Sequence, residues 1–160
     1  MKMKKIVGVM LLGFMAVLLV ACGQKSAEDI VKTELKDSYT GYSKSSSYQG
    51  LMFIQGGDVL EFNKKENSIT NSNGEKIYFS VLGKKDIPSD MKGVITSLEN
   101  DLKDTDNFTI ITGRKPKPTV KDSEGAYQIA LSDGGKKIRI FELSRSQRDY
   151  GYYDFKGQIE

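Results

Sequence analysis

The chain has no histidine and no tryptophan, one cysteine (Cys22) and three prolines in 160 residues. Each absence excludes chemistry. Without histidine there is no Ser-His-Asp arrangement and no imidazole general base. With one cysteine and no histidine, thiol-dependent zinc sites and intramolecular disulfides are excluded as well. The fold must therefore be held by packing and backbone hydrogen bonding. A phosphate-cradling glycine loop is also missing: Gly113-Arg114-Lys115 has neither the upstream glycine nor the following Ser or Thr of that motif. Excess positive charge is absent from the body of the chain. The formal +3 comes from Lys2, Lys4 and Lys5, and beyond residue 21 the 21 basic side chains balance the 21 acidic ones. Net charge gives no support to a nucleic-acid partner.

The N-terminus is rich in what the body lacks. Lys2, Lys4 and Lys5 precede an apolar run from Ile6 to Val20, broken by Gly8 and Gly13. That run is shorter than the ~20 residues a helix needs to cross a bilayer. It has the n-region and h-region of a secretory signal peptide, and small Ala21 then precedes Cys22. Leu19, Val20, Ala21 and Cys22 fill the four positions of a lipobox, and the segment resembles a bacterial lipoprotein signal peptide. The resemblance implies cleavage between Ala21 and Cys22, a diacylglyceryl thioether (palmitate-type acyl chains) on the Cys22 sulfur, and residence on the outer face of the cytoplasmic membrane. Two acyl chains give stable anchoring where one is marginal. With lysine outnumbering arginine 20 to 4, the chain is similar to small lipobox lipoproteins of low-GC Gram-positive envelopes.

After residue 21, 139 residues remain, enough for one core and too few for two ordinary domains. Ser26 to Ser38 reads as a short helix with a capping-box-like Ser26 and Asp29. Its thin stripe of Ile30, Val31 and Leu35 leaves open whether it packs on the domain or frays. Tyr39 to Ser47, rich in Ser, Tyr and Gly, reads as a tether that would reach ~30 Å when extended. Residues 22–47 are thus expected to be anchor, helix and tether, and 48–160 a single β-rich domain able to fold without residues 1–47. Within that domain Tyr48 to Gln55 is expected to pair with Val59 to Phe62 across a Gly56-Gly57-Asp58 turn. Ser68 to Thr70, Glu75 to Leu82, Phe108 to Thr112, Ala126 to Leu131, Lys136 to Leu143 and Tyr150 to Lys156 supply further strands. Asn73-Gly74 signals a type I′ turn. Met91, Val94, Ile95, Leu98 and Leu102 mark one face of a helix over Asp90 to Lys103, with Ser89 as its cap. Seven or eight short strands and one inserted amphipathic helix predict a mainly β, α+β fold. The expected form is an antiparallel sheet curled into a small barrel or half-barrel, lipocalin-like by analogy of element count.

Few residues point to chemistry. Asp58 and Glu61 could act as the paired carboxylates of a glycan hydrolase. Asp101, Asp104 and Asp106 could supply oxygens to calcium, although without an EF-hand pattern. A solvated helix end accounts for them more simply, and no metal or cofactor is expected beyond the covalent lipid. Arg114, Lys115 and Lys117, spaced by Pro116 and Pro118, form an extended basic loop for an anionic partner. Tyr150, Tyr152 and Tyr153 form a candidate aromatic surface. The expected function is a non-catalytic binding module, tethered to the membrane, whose partner is an envelope protein, a wall polymer or a small apolar ligand. The alternatives are a carboxylate-dependent cell-wall glycan enzyme and a lipoprotein excluding phage or toxin.

Overall fold

A computed structural model describes residues 25–44, 53–144 and 153–160. Its elements are α1 (Ala27–Thr33), β1 (Ser38–Ser43), β2 (Gly56–Asn63), β3 (Ser68–Thr70), β4 (Lys76–Leu82), α2 (Ser89–Ser97), α3 (Glu99–Leu102), β5 (Asp106–Gly113), β6 (Gly125–Ser132), β7 (Lys137–Glu142) and β8 (Asp154–Gln158). The eight strands form a closed antiparallel barrel in sequence order. The seam is β1 against β8, with Gly41 opposite Gly157 and Ser43 opposite Phe155. Closure leaves no strand edge open to another chain.

Strict alternation builds the wall. Ile77 and Phe79 of β4, Phe108 and Ile110 of β5, Tyr127, Ile129 and Leu131 of β6, and Ile138 and Ile140 of β7 belong to one buried cluster inside the barrel. Tyr39, Leu60, Phe62, Ile69 and Phe155 complete it from the remaining strands. An eight-stranded barrel is just wide enough for side chains to fill it, and these large residues do so.

The two ends differ. At the proximal end lie α1, the β2–β3 and β6–β7 turns and the β4–β5 connection. Ser26 caps α1, its hydroxyl accepting from Asp29 N at 3.1 Å, as the sequence suggests. Ile30, Val31 and Leu35 are buried in the interior cluster, so α1 packs on the barrel. Lys64 Nζ donates to Leu35 O at 2.9 Å and fixes the chain between α1 and β1. The distal end carries the β1–β2, β3–β4, β5–β6 and β7–β8 connections.

A second cluster lies outside the wall. Val94, Leu98 and Leu102 cover Ile111, Ala126, Ala130, Phe141 and Leu143. Their helical stripe is as expected, but the helix is broken in two at Leu98. Ser97 Oγ donates back to Val94 O at 2.6 Å, competing for a carbonyl the helix would otherwise use. The cap also differs: Pro88 occupies the N-cap position and Ser89 is the first helical residue.

Three further expectations are corrected. Residues 38–43 are not a tether: they form β1, held on one side by β2 and on the other by β8. Gly56, Gly57 and Asp58 are not a turn but the start of β2, paired with Ser43, Tyr42 and Gly41. Phe53 to Gln55 precede β2 outside any strand, and residues 48–52 of the expected partner strand fall outside the described residues. In the β3–β4 turn only Gly74 has a positive φ (77°), whereas type I′ requires two such residues. The Asn71 side chain builds this turn instead, accepting from Asn73 N and Glu75 N at 3.0 Å each.

Candidate functional site

The basic loop projects from the distal end between β5 and β6. Arg114, Lys115, Pro116 and Lys117 are exposed, while Pro118 is buried against Gly113. One proline therefore anchors the loop and the other leaves it extended. The charge is partly neutralised: Arg114 Nε lies 3.1 Å from Glu124 Oε1. On the far limb, the Thr119 hydroxyl and backbone N–H both donate to Asp122. Those bonds, with a smaller contribution from the Lys115 charge, hold the Asp122 carboxyl below the usual range.

The expected aromatic surface takes a different form at Tyr153. Its side chain is 0% exposed, stacked on Phe53 (4.6 Å between centroids) and on Phe155 (6.1 Å), with Tyr127 edge-on to both Phe53 and Tyr153. This quartet plugs the distal mouth of the barrel. Tyr153, the residue directly before β8, is thus core. Tyr150 and Tyr152 fall outside the described residues, as do Leu19, Val20, Ala21 and Cys22.

The distal mouth also buries two carboxylates. Asp58 is 4% exposed, and its Oδ1 accepts from Val59 N (2.8 Å), Ser72 N (3.0 Å) and Ser72 Oγ (2.7 Å). It ties the β3–β4 turn to β2. Glu142, 2% exposed, accepts from Tyr153 N at 3.2 Å and lies opposite Tyr127. The expected pairing of Asp58 with Glu61 does not form. Three residues apart on one strand, they point to opposite faces, Asp58 inward and Glu61 to solvent. Among the described residues no group of acidic side chains is arranged to hold a metal ion. Asp101 is engaged by Arg139 rather than by its acidic neighbours.

Two surface depressions were not visible in the sequence. One, of about 500 Å³, lies on the outer wall beside the barrel seam and is lined by Tyr42, Lys137, Arg139 and Lys156. Arg139 there is bound to Asp154 (2.9 Å) and Asp101 and stacks on Phe141, so it clasps α3 to the wall. The other, of about 700 Å³, runs along the proximal shoulder between α1 and α2. Its walls come from segments more than a hundred residues apart, Lys25 to Gln128, so no local pattern could have announced it.

Comparison with protein-family models, with curated proteins and with solved structures finds no match to this chain.

Proposed function

We propose that the chain is a membrane-anchored extracytoplasmic lipoprotein whose barrel works by surface contact and performs no covalent chemistry of its own. The observation that carries the second half of this reading is the filled interior. Tyr39, Phe53, Phe79, Ile110, Ile129, Ile140, Tyr153 and Phe155 are all essentially inaccessible and leave the barrel axis to side chains. A barrel that stores a small apolar ligand keeps that axis open. The separation of Asp58 and Glu61 on opposite faces removes support for the glycan-hydrolase alternative. What remains for recognition is the outside, where the exposed loop of Arg114, Lys115 and Lys117 is the sharpest chemical feature and suits a polyanionic wall polymer or an acidic protein face. The first half of the reading rests on Leu19-Val20-Ala21-Cys22.

The test has two arms. Mass spectrometry of membrane-extracted protein is expected to show a mature N-terminus at Cys22 carrying a diacylglyceryl group. Cys22→Ala is expected to yield released or uncleaved protein, and membrane retention of a processed variant overturns the anchor. Titration of the purified protein with a fluorescent fatty acid is expected to give no saturable uptake; stoichiometric uptake overturns the surface-contact reading.

A further inference from the structure

The shoulder groove and the lipidation site are close neighbours in the chain. Three residues, Gly23, Gln24 and Lys25, lie between Cys22 and Ser26, the N-cap of α1. Fully extended, the four residue steps from Cys22 to Ser26 span at most ~14 Å, and α1 is fixed to the barrel by Ile30, Val31 and Leu35. A lipid on Cys22 therefore holds the proximal shoulder within about one headgroup layer of the bilayer, whatever path the intervening residues take. Lys25, Ser26, Ala27 and Glu28 themselves line the groove.

The groove suits that neighbour. Its floor is mainly apolar, made by Ala27, Ile30, Leu82, Ile87, Ile95 and Phe108, with the buried polar side chains of Thr109 and Gln128 bonded to each other among them. Lys25, Lys84 and Lys92 stand on its rim. Lysine stems lie along apolar surface while their ammonium groups reach the headgroup level. Glu28 and Asp106 interrupt the rim, and Lys25 is ion-paired with Glu34, so the apolar floor rather than net charge makes the match. We propose that the α1–α2 groove is the surface on which the barrel sits on its own membrane, its floor against the acyl boundary of the outer leaflet, with the distal loops turned toward the wall. The proposal rests on the lipidation of Cys22, and the experiment separates the two.

Thr96→Cys, on the exposed edge of the groove, and Val120→Cys, 44% exposed on the distal loop, place a single reactive thiol at each end. A lipidated Cys22 offers no second thiol. Each full-length lipidated variant is labelled with a fluorophore and reconstituted into phosphatidylglycerol vesicles containing headgroup-nitroxide lipid. Quenching is expected to be several-fold stronger at position 96 than at 120. Adding Ile87→Asp is expected to bring the quenching at 96 down toward that at 120. Equal quenching at the two positions, stronger quenching at 120, or no effect of Ile87→Asp overturns the seat on the membrane, including the case in which a protein partner occupies the groove. The intact mass decides which reading failed. One dye plus diacylglyceryl means that the anchor holds and the orientation is wrong; two dyes and no lipid mean that the anchor itself is wrong, and the orientation falls with it.

Discussion

The Tyr39 hydroxyl joins three parts of the proximal end. It donates to Gly135 O in the β6–β7 turn at 2.7 Å and accepts from Lys36 N, between α1 and β1, at 2.9 Å. Its ring meets Phe62 edge-on at 5.8 Å. Gly135 has φ +79°, and a side chain there would collide with Glu34 O at the end of α1, so the turn lies flush against the helix. Tyr39→Phe keeps the ring and removes the hydroxyl, leaving both backbone partners unsatisfied. Its expected cost is ~1–3 kcal/mol by urea denaturation at neutral pH. Burial pushes the Tyr39 hydroxyl above the ordinary tyrosine value. The protonated form is thus favoured by the fold, and its contribution is complete below the unfolded value near ~10. Stability attributable to this group falls as pH rises through the interval between the unfolded and folded values. The difference in stability between the native chain and Tyr39→Phe should therefore be constant up to about pH 10 and narrow above it. A difference that stays constant into strong alkali would show that Tyr39 ionises as freely in the fold as outside it.

Among the elements, α1 and β1 change the boundary of the domain. Fully burying side chains such as Ile30, Val31 and Leu35 contributes ~1.5–3 kcal/mol each, against ~5–15 kcal/mol for a whole domain. Deleting residues 1–47 removes α1 and β1 together, uncovers the proximal core and leaves β2 and β8 as open edges. The sequence-based expectation that 48–160 folds alone is accordingly replaced: this deletion should lose near-ultraviolet dichroism and aggregate, while deletion of residues 1–24 alone should leave a folded monomer by size-exclusion chromatography. The sequence hides β1 for a physical reason. Its inward positions are Tyr39, Gly41 and Ser43, with no aliphatic alternation to announce a strand, because the neighbouring Phe155 fills the space its side chains would take. By contrast, β4 and β7 were legible from Ile77-x-Phe79 and Ile138-x-Ile140, since each of those side chains has to make its own core contact. The helical stripe of Val94, Leu98 and Leu102 was legible for the same reason, and the break at Leu98 was not, because it depends on a serine hydroxyl bonding its own backbone. Of the candidate site, the basic loop stayed where charge and proline placed it, whereas Tyr153 moved to the core because composition does not say which way an aromatic at a strand entrance faces.

Whole-molecule integrity depends on the seam between the first and last strands. Pairing β1 with β8 joins residues more than a hundred positions apart, and such contacts form only after a large loss of chain entropy. The seam is closed by a specific device. Gly41 and Gly157 face each other across it, and the Phe155 ring lies over both, so that a Cβ at Gly41 would come within 2.6 Å of the Gly157 Cα and of the Phe155 ring and closer still to the Lys156 carbonyl. Two of those neighbours are backbone and cannot rotate away. Gly41→Ala should then reach or exceed the upper end of the ~1–3 kcal/mol usual for over-packing, through opening of the seam rather than a local shift. Gly57→Ala is the matching control: it lies on β2 beside β1, its φ is not positive, and the nearest atom to an added Cβ is 3.9 Å away. Relative to Gly57→Ala, Gly41→Ala should lower the urea midpoint and speed amide exchange in β1 and β8 before the remaining strands. Equal midpoints for the two variants would mean that Phe155 can leave its place without cost, and that the barrel does not need its seam to hold the core.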